Sequence, residues 1–231
     1  MRIIAVVPTY NEEERIVSTI KALESLPEIK DILVVDDCSQ DKTFKKASQT
    51  KASVIKNVNN LGKGQSLNKA LKQIDKSAYE GIILADGDLV ESATEFSRLI
   101  ERFDRKEKQL IIAGFGRPKK KGGFGLVKGL ARWAIKRQGG HHLQTPLSGQ
   151  RLLSVELLDK ILPLASGFGM EVDMSIKALR NGFDVQEVQT NMTHAETGRD
   201  LVGFKHRAKQ FKDVLKAVLR SGISKRKGGK D

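Results

Sequence analysis

Residues 81–88 constrain this chain more than any other stretch. Ile82, Ile83, Leu84 and Ala85 form an unbroken apolar run that leads directly into Asp86, Gly87 and Asp88. A run this short predicts a strand buried on both faces, the signature of a parallel sheet. Open α/β sheets bind ligands at the carboxyl ends of their strands, and that is where the two carboxylates stand. Carboxylates so close repel each other unless a cation or hydrogen-bond donors lie between them. Gly87 lets the backbone bend and come near something bulky. A hard divalent ion shared with a diphosphate fits, because Mg²⁺ is usually held by one or two carboxylates plus phosphate oxygens. The plain alternative is a strand end followed by a helix cap, and the rest of the chain has to decide between them.

Taken in order, residues 2–7 predict a first strand. Pro8, Thr9, Tyr10 and Asn11 then make a turn, and Asn11 with Glu14 predicts a capping box opening a helix to Leu26. Residues 31–36 predict a second strand ending in Asp36 and Asp37. Asp41 is placed to cap a short helix through Ser48, and residues 53–56 predict a third strand. In the next loop Gly62, Lys63 and Gly64 resemble a phosphate-binding turn. They depart from the Walker pattern, since Lys63 is followed by glycine and not by Ser or Thr. What remains is a lysine at the amino terminus of a helix over residues 65–76, a place suited to anions. A helix over residues 92–105 and a strand over residues 110–113 follow the acidic pair. Strands alternating with helices at this spacing predict βαβ units, hence an α/β chain with one Rossmann-like, mostly parallel sheet flanked by helices. Asp36/Asp37, Lys63 and Asp86/Asp88 then fall on one sheet edge, which favours a nucleotide site over three unrelated caps.

Composition narrows the partners. Forty-one Lys and Arg against 28 Asp and Glu give a formal net charge of +13, which calls for an anionic partner: a phosphorylated substrate, an anionic membrane surface or nucleic acid. Much of the excess lies in the second half, at Lys119, Lys120 and Lys121, across residues 205–220 and in Lys225, Arg226 and Lys227. No apolar run approaches the roughly 18–20 residues of a membrane span. The single cysteine, Cys38, excludes an internal disulfide framework and suits a reducing cytoplasm. The amino terminus enters a strand-like run without a signal-peptide pattern. A cytoplasmic protein is expected, extending to peripheral attachment at the inner face of the cell membrane.

Residues 7–12, 34–39, 60–64 and 86–88 (Val-Pro-Thr-Tyr-Asn-Glu, Val-Val-Asp-Asp-Cys-Ser, Asn-Leu-Gly-Lys-Gly and Asp-Gly-Asp) stand in the order and spacing of the family 2 glycosyltransferase motifs, which the first 90 or so residues resemble. The resemblance implies the glycosyltransferase type A fold and a nucleotide-diphosphate sugar donor. It implies that Pro8, Thr9, Tyr10 and Glu12 line the base and ribose site, and that Asp36 or Asp37 contacts base or ribose. Lys63 would lie beside the nucleotide, Asp86 would reach ribose or metal, and Asp88 would bind the Mg²⁺ or Mn²⁺ that bridges the diphosphate. Residues 1–200 are expected to form the catalytic domain, with a nucleotide-binding half (1–114) and an acceptor half (115–200).

The second half bears on the acceptor. Residues 124–137 are amphipathic, with Leu126, Leu130, Trp133 and Ile135 set against Lys128, Arg132, Lys136 and Arg137. Ser148, Gly149, Gln150 and Arg151 then precede a helix predicted over residues 155–162. This part is similar to the polyprenyl-phosphate sugar synthases of the family, which implies that Arg117 and Arg151 clamp an acceptor phosphate. Gln150 departs from the aromatic residue expected there. Glu171 and Asp173 open a helix over residues 167–181. The helix dipole alone accounts for acidic residues in a first turn, while the resemblance makes them candidate catalytic carboxylates. A strand over residues 185–188 leads to a polar loop holding His194 and Arg199. His194 resembles a metal-ligating histidine of related transferases, and Mn²⁺ accepts an imidazole among carboxylates. Arg199 is a further candidate for phosphate charge. Residues 202–221 read as a C-terminal basic amphipathic helix, suited to packing on the sheet or to an anionic membrane surface, and residues 224–231 as a disordered tail.

The expected reaction is metal-dependent transfer of a sugar from a nucleotide-diphosphate sugar to a phosphate-bearing acceptor, foremost polyprenyl phosphate. A soluble transferase acting on a small phosphorylated or hydroxyl acceptor is the alternative. A nucleotidyltransferase would need a glycine-rich signature after the first strand, which is missing. A nucleic-acid-binding module would need stacking aromatics, and aromatic residues make up only 5% of the chain; no nucleic acid is expected.

Overall fold

The computed structural model describes residues 1–115, 125–165 and 167–193. Five strands come first: β1 (Ile3–Thr9), β2 (Ile29–Asp36), β3 (Ser53–Lys56), β4 (Gly81–Leu84) and β5 (Gln109–Phe115), with β6 (Arg151–Ser154) and β7 (Asp184–Thr190) following in the second half. They form one sheet in the order β3-β2-β1-β4-β6-β5-β7. Every pairing is parallel except those of β6, which runs antiparallel to both β4 and β5. The arrangement is the mostly parallel α/β sheet that the sequence predicts.

The apolar runs are apolar because both sheet faces are covered. Ile4 and Val6 of β1 and Ile82 and Leu84 of β4 enter one core, while Ile3, Ala5 and Val7 with Ile83 enter the other. Helices α3 (Lys63–Leu71), α5 (Gly125–Gly139), α6 (Leu158–Ile161) and α7 (Met170–Arg180) cover the first face, through side chains such as Leu67, Ala131, Ile161 and Ile176. Helices α1 (Ile16–Glu24) and α4 (Phe96–Arg102) cover the second with Ile20, Leu23 and Phe96, and Ala47 of α2 (Thr43–Ala47) joins them.

Several boundaries differ from expectation, each for a local reason. Asn11 does not cap α1. It takes the left-handed conformation (φ 56°) and its Oδ1 accepts the N–H of Gln40, so it ties the β1 turn to the β2 turn and α1 begins only at Ile16. Asp41 does serve the next helix, accepting the N–H and hydroxyl of Thr43. Helix α3 stops at Leu71, five residues short of the predicted end. The helix expected over residues 92–105 starts as a 3-10 turn, Val90–Glu95, before α4. The helix expected over residues 155–162 is a 3-10 turn, Val155–Leu157, followed by the single turn of α6. Strand β6 was not anticipated: four residues headed by an arginine carry too little periodicity to announce a strand. Arg117, His194, Arg199 and the predicted C-terminal helix lie outside the described residues.

The turn that follows β4 is held from behind. Thr19, fully buried on α1, donates its hydroxyl to the carbonyl of Gly87 at 2.9 Å and accepts the N–H of Val90 at 2.8 Å. Val90 has a positive φ of 46°, a costly conformation for a β-branched residue that persists only where its surroundings fix it. Gly87 is required by space as well, since a Cβ there would stand 2.9 Å from Thr9 Oγ1. Thr19→Val keeps the shape and removes both bonds, leaving buried backbone groups unpaired. It should cost about 1–3 kcal/mol of unfolding free energy in a denaturant titration; an unchanged midpoint would mean the turn does not depend on this hydroxyl.

Candidate functional site

Asp86 and Asp88 leave β4 at the carboxyl edge of the parallel strands, as the sequence predicts, and the half-buried Lys63 meets Asp86 there from the first position of α3. Its Nζ lies 2.6 Å from Asp86 Oδ1 and 3.6 Å from Glu171 Oε1. Burial works to lower the Lys63 pKa, but the charges of Asp86 and then Glu171 outweigh it, so the ammonium is held above its ordinary value. Burial raises the Glu171 carboxyl, with Lys63 and the buried Arg151 acting against the rise. A cation between two carboxylates from different elements is therefore the electrostatic centre of this edge.

Around that centre the loop before β6 closes tightly. Gln150 is fully buried; its Oε1 accepts the N–H of Asp86 at 3.0 Å and its Nε2 donates to Asp86 Oδ2 at 2.7 Å. At Gly149 a Cβ would stand 2.5 Å from Lys63 Nζ and 3.2 Å from Asp86 Oδ2, so no larger residue fits without displacing the ion pair. Arg151, expected as one half of a phosphate clamp, is enclosed by the chain. Its guanidinium is fully buried and donates to the carbonyls of Ser148 and Pro146 and to the hydroxyl of Ser175. Burial pushes its pKa down to about 10 against the pull of Glu171 and Glu187. These bonds make Arg151 a brace for the loop 146–150.

Asp173 follows Glu171 on α7 and pairs with Lys177 at 2.8 Å, one turn along the same helix. Glu171, two residues earlier on the same helix, lies 3.6 Å from Lys63.

On the donor side the two adjacent aspartates divide. Asp37 faces inward: it accepts the N–H groups of Leu61 and Gly62, the Asn57 amide and the Ser66 hydroxyl, and so pins the Lys63 loop to the end of β2. Both carboxylates at this strand end are enclosed, Asp37 with the larger set of donors. Asp36 is fully buried, with Oδ2 accepting the Ser39 N–H at 3.3 Å and Oδ1 without a partner. Thr9, opposite Asp36 in the β1–β2 register, also has a buried hydroxyl without a partner. Pro8 is enclosed within β1, whereas Tyr10 is 45% exposed beyond its end. Glu12 pairs with Arg15 at 2.6 Å. Burial raises the Glu12 carboxyl against that pairing, and the negative charges of Asp88 and Asp41 push the same way. Arg15 lies in the field of both Glu12 and Asp88. Among the described residues no group of three carboxylate, histidine or cysteine side chains is placed to hold a metal. One or two hard carboxylate oxygens completed by phosphate oxygens are what Mg²⁺ ordinarily takes, and the donor set fits that mode.

Sequence reasoning located Asp86, Asp88, Lys63 and Glu171 but missed the work of Gln150, Gly149 and Thr19. Gln150 carried a signal, as an amide where the family resemblance implied an aromatic residue; its use becomes visible only once β6 is known to lie beside β4.

The model of the family described as "Glycosyl transferase family 2" matches residues 4–162. An uncharacterized protein of Methanocaldococcus jannaschii is 23% identical over 94% of this chain and 99% of its own length. An undecaprenyl-phosphate mannosyltransferase of Micrococcus luteus is 25% identical over 86% of each chain. Among solved structures, a glucosyl-3-phosphoglycerate synthase of Mycobacterium tuberculosis, in complex with Mn²⁺, uridine diphosphate and phosphoglyceric acid, superposes with a TM-score of 0.75 at 24% identity. The match covers 95% of this chain and 78% of that one, and shows that the two share a fold.

Asp37 supplies a test of the site's support that needs no substrate. Burial alone would raise its pKa, but its four donors outweigh burial and set it below the ordinary 3.8. Its stabilising contribution is therefore complete above that ordinary value and is lost as pH falls through the lower folded value. Asp37→Asn should lose about 2–4 kcal/mol near neutrality, and its deficit against the parent should narrow in thermal unfolding toward about pH 3. A deficit that does not change with pH would contradict the assignment.

Proposed function

The chain belongs to glycosyltransferase family 2, and from that premise we propose that it transfers a hexose from a nucleotide-diphosphate sugar to a phosphate-bearing acceptor, with polyprenyl phosphate as the leading candidate and Mg²⁺ or Mn²⁺ as cofactor. That it is a glycosyltransferase drawing on a nucleotide-diphosphate sugar follows from the family and sets aside the nucleotidyltransferase and nucleic-acid readings. The observation that carries the finer reading is Lys63, held charged by Asp86 and Glu171 beside the Asp88 turn.

Bond breaking between sugar and phosphate builds negative charge on the departing nucleoside diphosphate. Asp88 would hold a divalent ion there, which as a Lewis acid would supply neutralisation of that charge. Lys63 adds a fixed positive charge whose orientation Asp86 and Glu171 maintain before the donor arrives, so little reorganisation is needed during the reaction. Pro8, Thr9, Tyr10, Glu12 and Asp36 or Asp37 would line the base and ribose site; the buried unpartnered oxygens of Thr9 and Asp36 mark polar capacity that the described chain does not use. His194 remains a candidate metal ligand, and Arg117 and Arg199 remain candidates for the acceptor phosphate.

A phosphate acceptor is anionic at neutral pH and needs no proton removed, so charge and positioning matter more than a general base. The excess of Lys and Arg in the second half favours this case. The Micrococcus relative named for undecaprenyl phosphate supports a lipid acceptor, while phosphoglyceric acid in the Mycobacterium structure supports a small soluble one; both acceptors carry a phosphate. With a hydroxyl acceptor, Glu171, whose raised pKa suits proton uptake, would be the base. Among the described residues no helix is long and apolar enough to cross a membrane. Attachment to a lipid surface would rest instead on basic residues and on the 57% exposed Trp133 of α5.

The test is turnover of uridine and guanosine diphosphate sugars with Mg²⁺ or Mn²⁺, against polyprenyl phosphate in detergent and against small phosphorylated acids. Transfer to one phosphate-bearing class is expected, with Asp88→Ala folded but slower by about 100-fold or more. Full activity in Asp88→Ala, or turnover undiminished by a chelator, would remove the metal from the account.

A further inference from the structure

Gln150 is the buried polar side chain that the family motifs leave unexplained. A primary amide can accept and donate in one plane, and both of its ends here meet one residue: the backbone N–H of Asp86 at 3.0 Å and the carboxylate Oδ2 of Asp86 at 2.7 Å. The orientation is unambiguous, because a backbone N–H can only donate and a carboxylate can only accept. With Oδ2 fixed by the amide, Oδ1 is left facing Lys63 Nζ at 2.6 Å.

The backbone that carries this side chain is held as well. Its backbone carbonyl accepts the N–H of Ala113 on β5, and Arg151, the next residue, ties down the carbonyls of Ser148 and Pro146. Gly149, the residue before, allows the loop to lie against the ion pair. A carboxylate at the end of a short strand would otherwise rotate about its own side chain and carry Lys63 with it.

We propose that Gln150 is a positioning residue for the donor site: it locks the rotamer of Asp86 so that Lys63 is presented in one place to the diphosphate of the nucleotide sugar. The proposal rests on the reading of Lys63 and Asp86 as donor-side residues. It also accounts for an amide where a family aromatic was expected, since an aromatic ring offers no such paired acceptor and donor.

Gln150→Leu keeps the volume and removes both hydrogen bonds. It should lower kcat/KM for the donor about tenfold or more while leaving the acceptor KM within about twofold. Because Gln150 acts through Asp86, adding Gln150→Leu to Asp86→Ala should change donor kcat/KM by no more than about twofold. A wild-type donor kcat/KM in Gln150→Leu, an equal rise in both KM values, or a full additional loss on top of Asp86→Ala would overturn the proposal. A second measurement needs neither turnover nor a Gln150 variant. In the NMR spectrum of the unmutated chain, the side-chain amide protons of Gln150 should exchange slowly, and their signal should move in Asp86→Ala. Exchange at the rate of an exposed amide, or a signal that stays in place, would overturn it as well. Should no nucleotide sugar be turned over, the functional reading fails, and the amide protons still decide the Gln150–Asp86 clamp.

Discussion

One lysine shared by two carboxylates organises this molecule. Lys63 comes from a helix start, Asp86 from a strand end and Glu171 from the first turn of a later helix, and no two of them are near in sequence. A partly enclosed ammonium is tolerable only because its partners are fixed, and losing one would leave the others with uncompensated charge. The folding of the edge can be followed as the set of contacts that keeps this lysine in place. Asp37 secures the loop that carries it, Gln150 fixes the rotamer of its nearer partner, and Arg151 braces the segment that brings Gln150 in.

The scaffold meets that demand by reciprocal ties between neighbouring turns. The β1 turn and the β2 turn exchange bonds in both directions: Asn11 accepts from Gln40, Ser39 accepts from Asn11, Glu13 accepts from Lys42, and Asp41 accepts from Glu13. Such loops surrender much of their conformational freedom on folding, before any ligand arrives, which lowers the ordering cost of binding. Two apolar faces covered by helices hold the strands from which these turns emerge, so side-chain positions at the edge follow from strand register.

Much of this was legible in the sequence. Strand β4 announced itself by the unbroken apolar run of Ile82 to Ala85, and the acidic pair by its place at the end of that run. Lys63 was readable from glycine punctuation before a helix. What could not be read depended on which strand lies beside which. Gln150 appeared as a polar intrusion because nothing local says that β6 turns back antiparallel beside β4. Asn11 and Glu14 satisfied a capping pattern, yet Asn11 was taken by a tertiary bond to Gln40 and the helix began later. Asp36 and Asp37 are chemically alike and adjacent, and only the fold turns Asp37 inward to four donors. Arg151 was read as a phosphate clamp from the family resemblance, and nothing local announces that the β6 register buries it.

The account stands on a nucleoside diphosphate lying at the carboxyl edge of β4, between Lys63 and the Asp88 turn. A crystal structure grown with Mn²⁺ and uridine or guanosine diphosphate tests it most directly. The account predicts diphosphate density within contact of the Lys63 ammonium and a cation on Asp88, with Asp86 still held by Gln150. Density for the nucleotide elsewhere on the molecule, or an edge left vacant with Asp88 turned into an internal hydrogen bond, would contradict it.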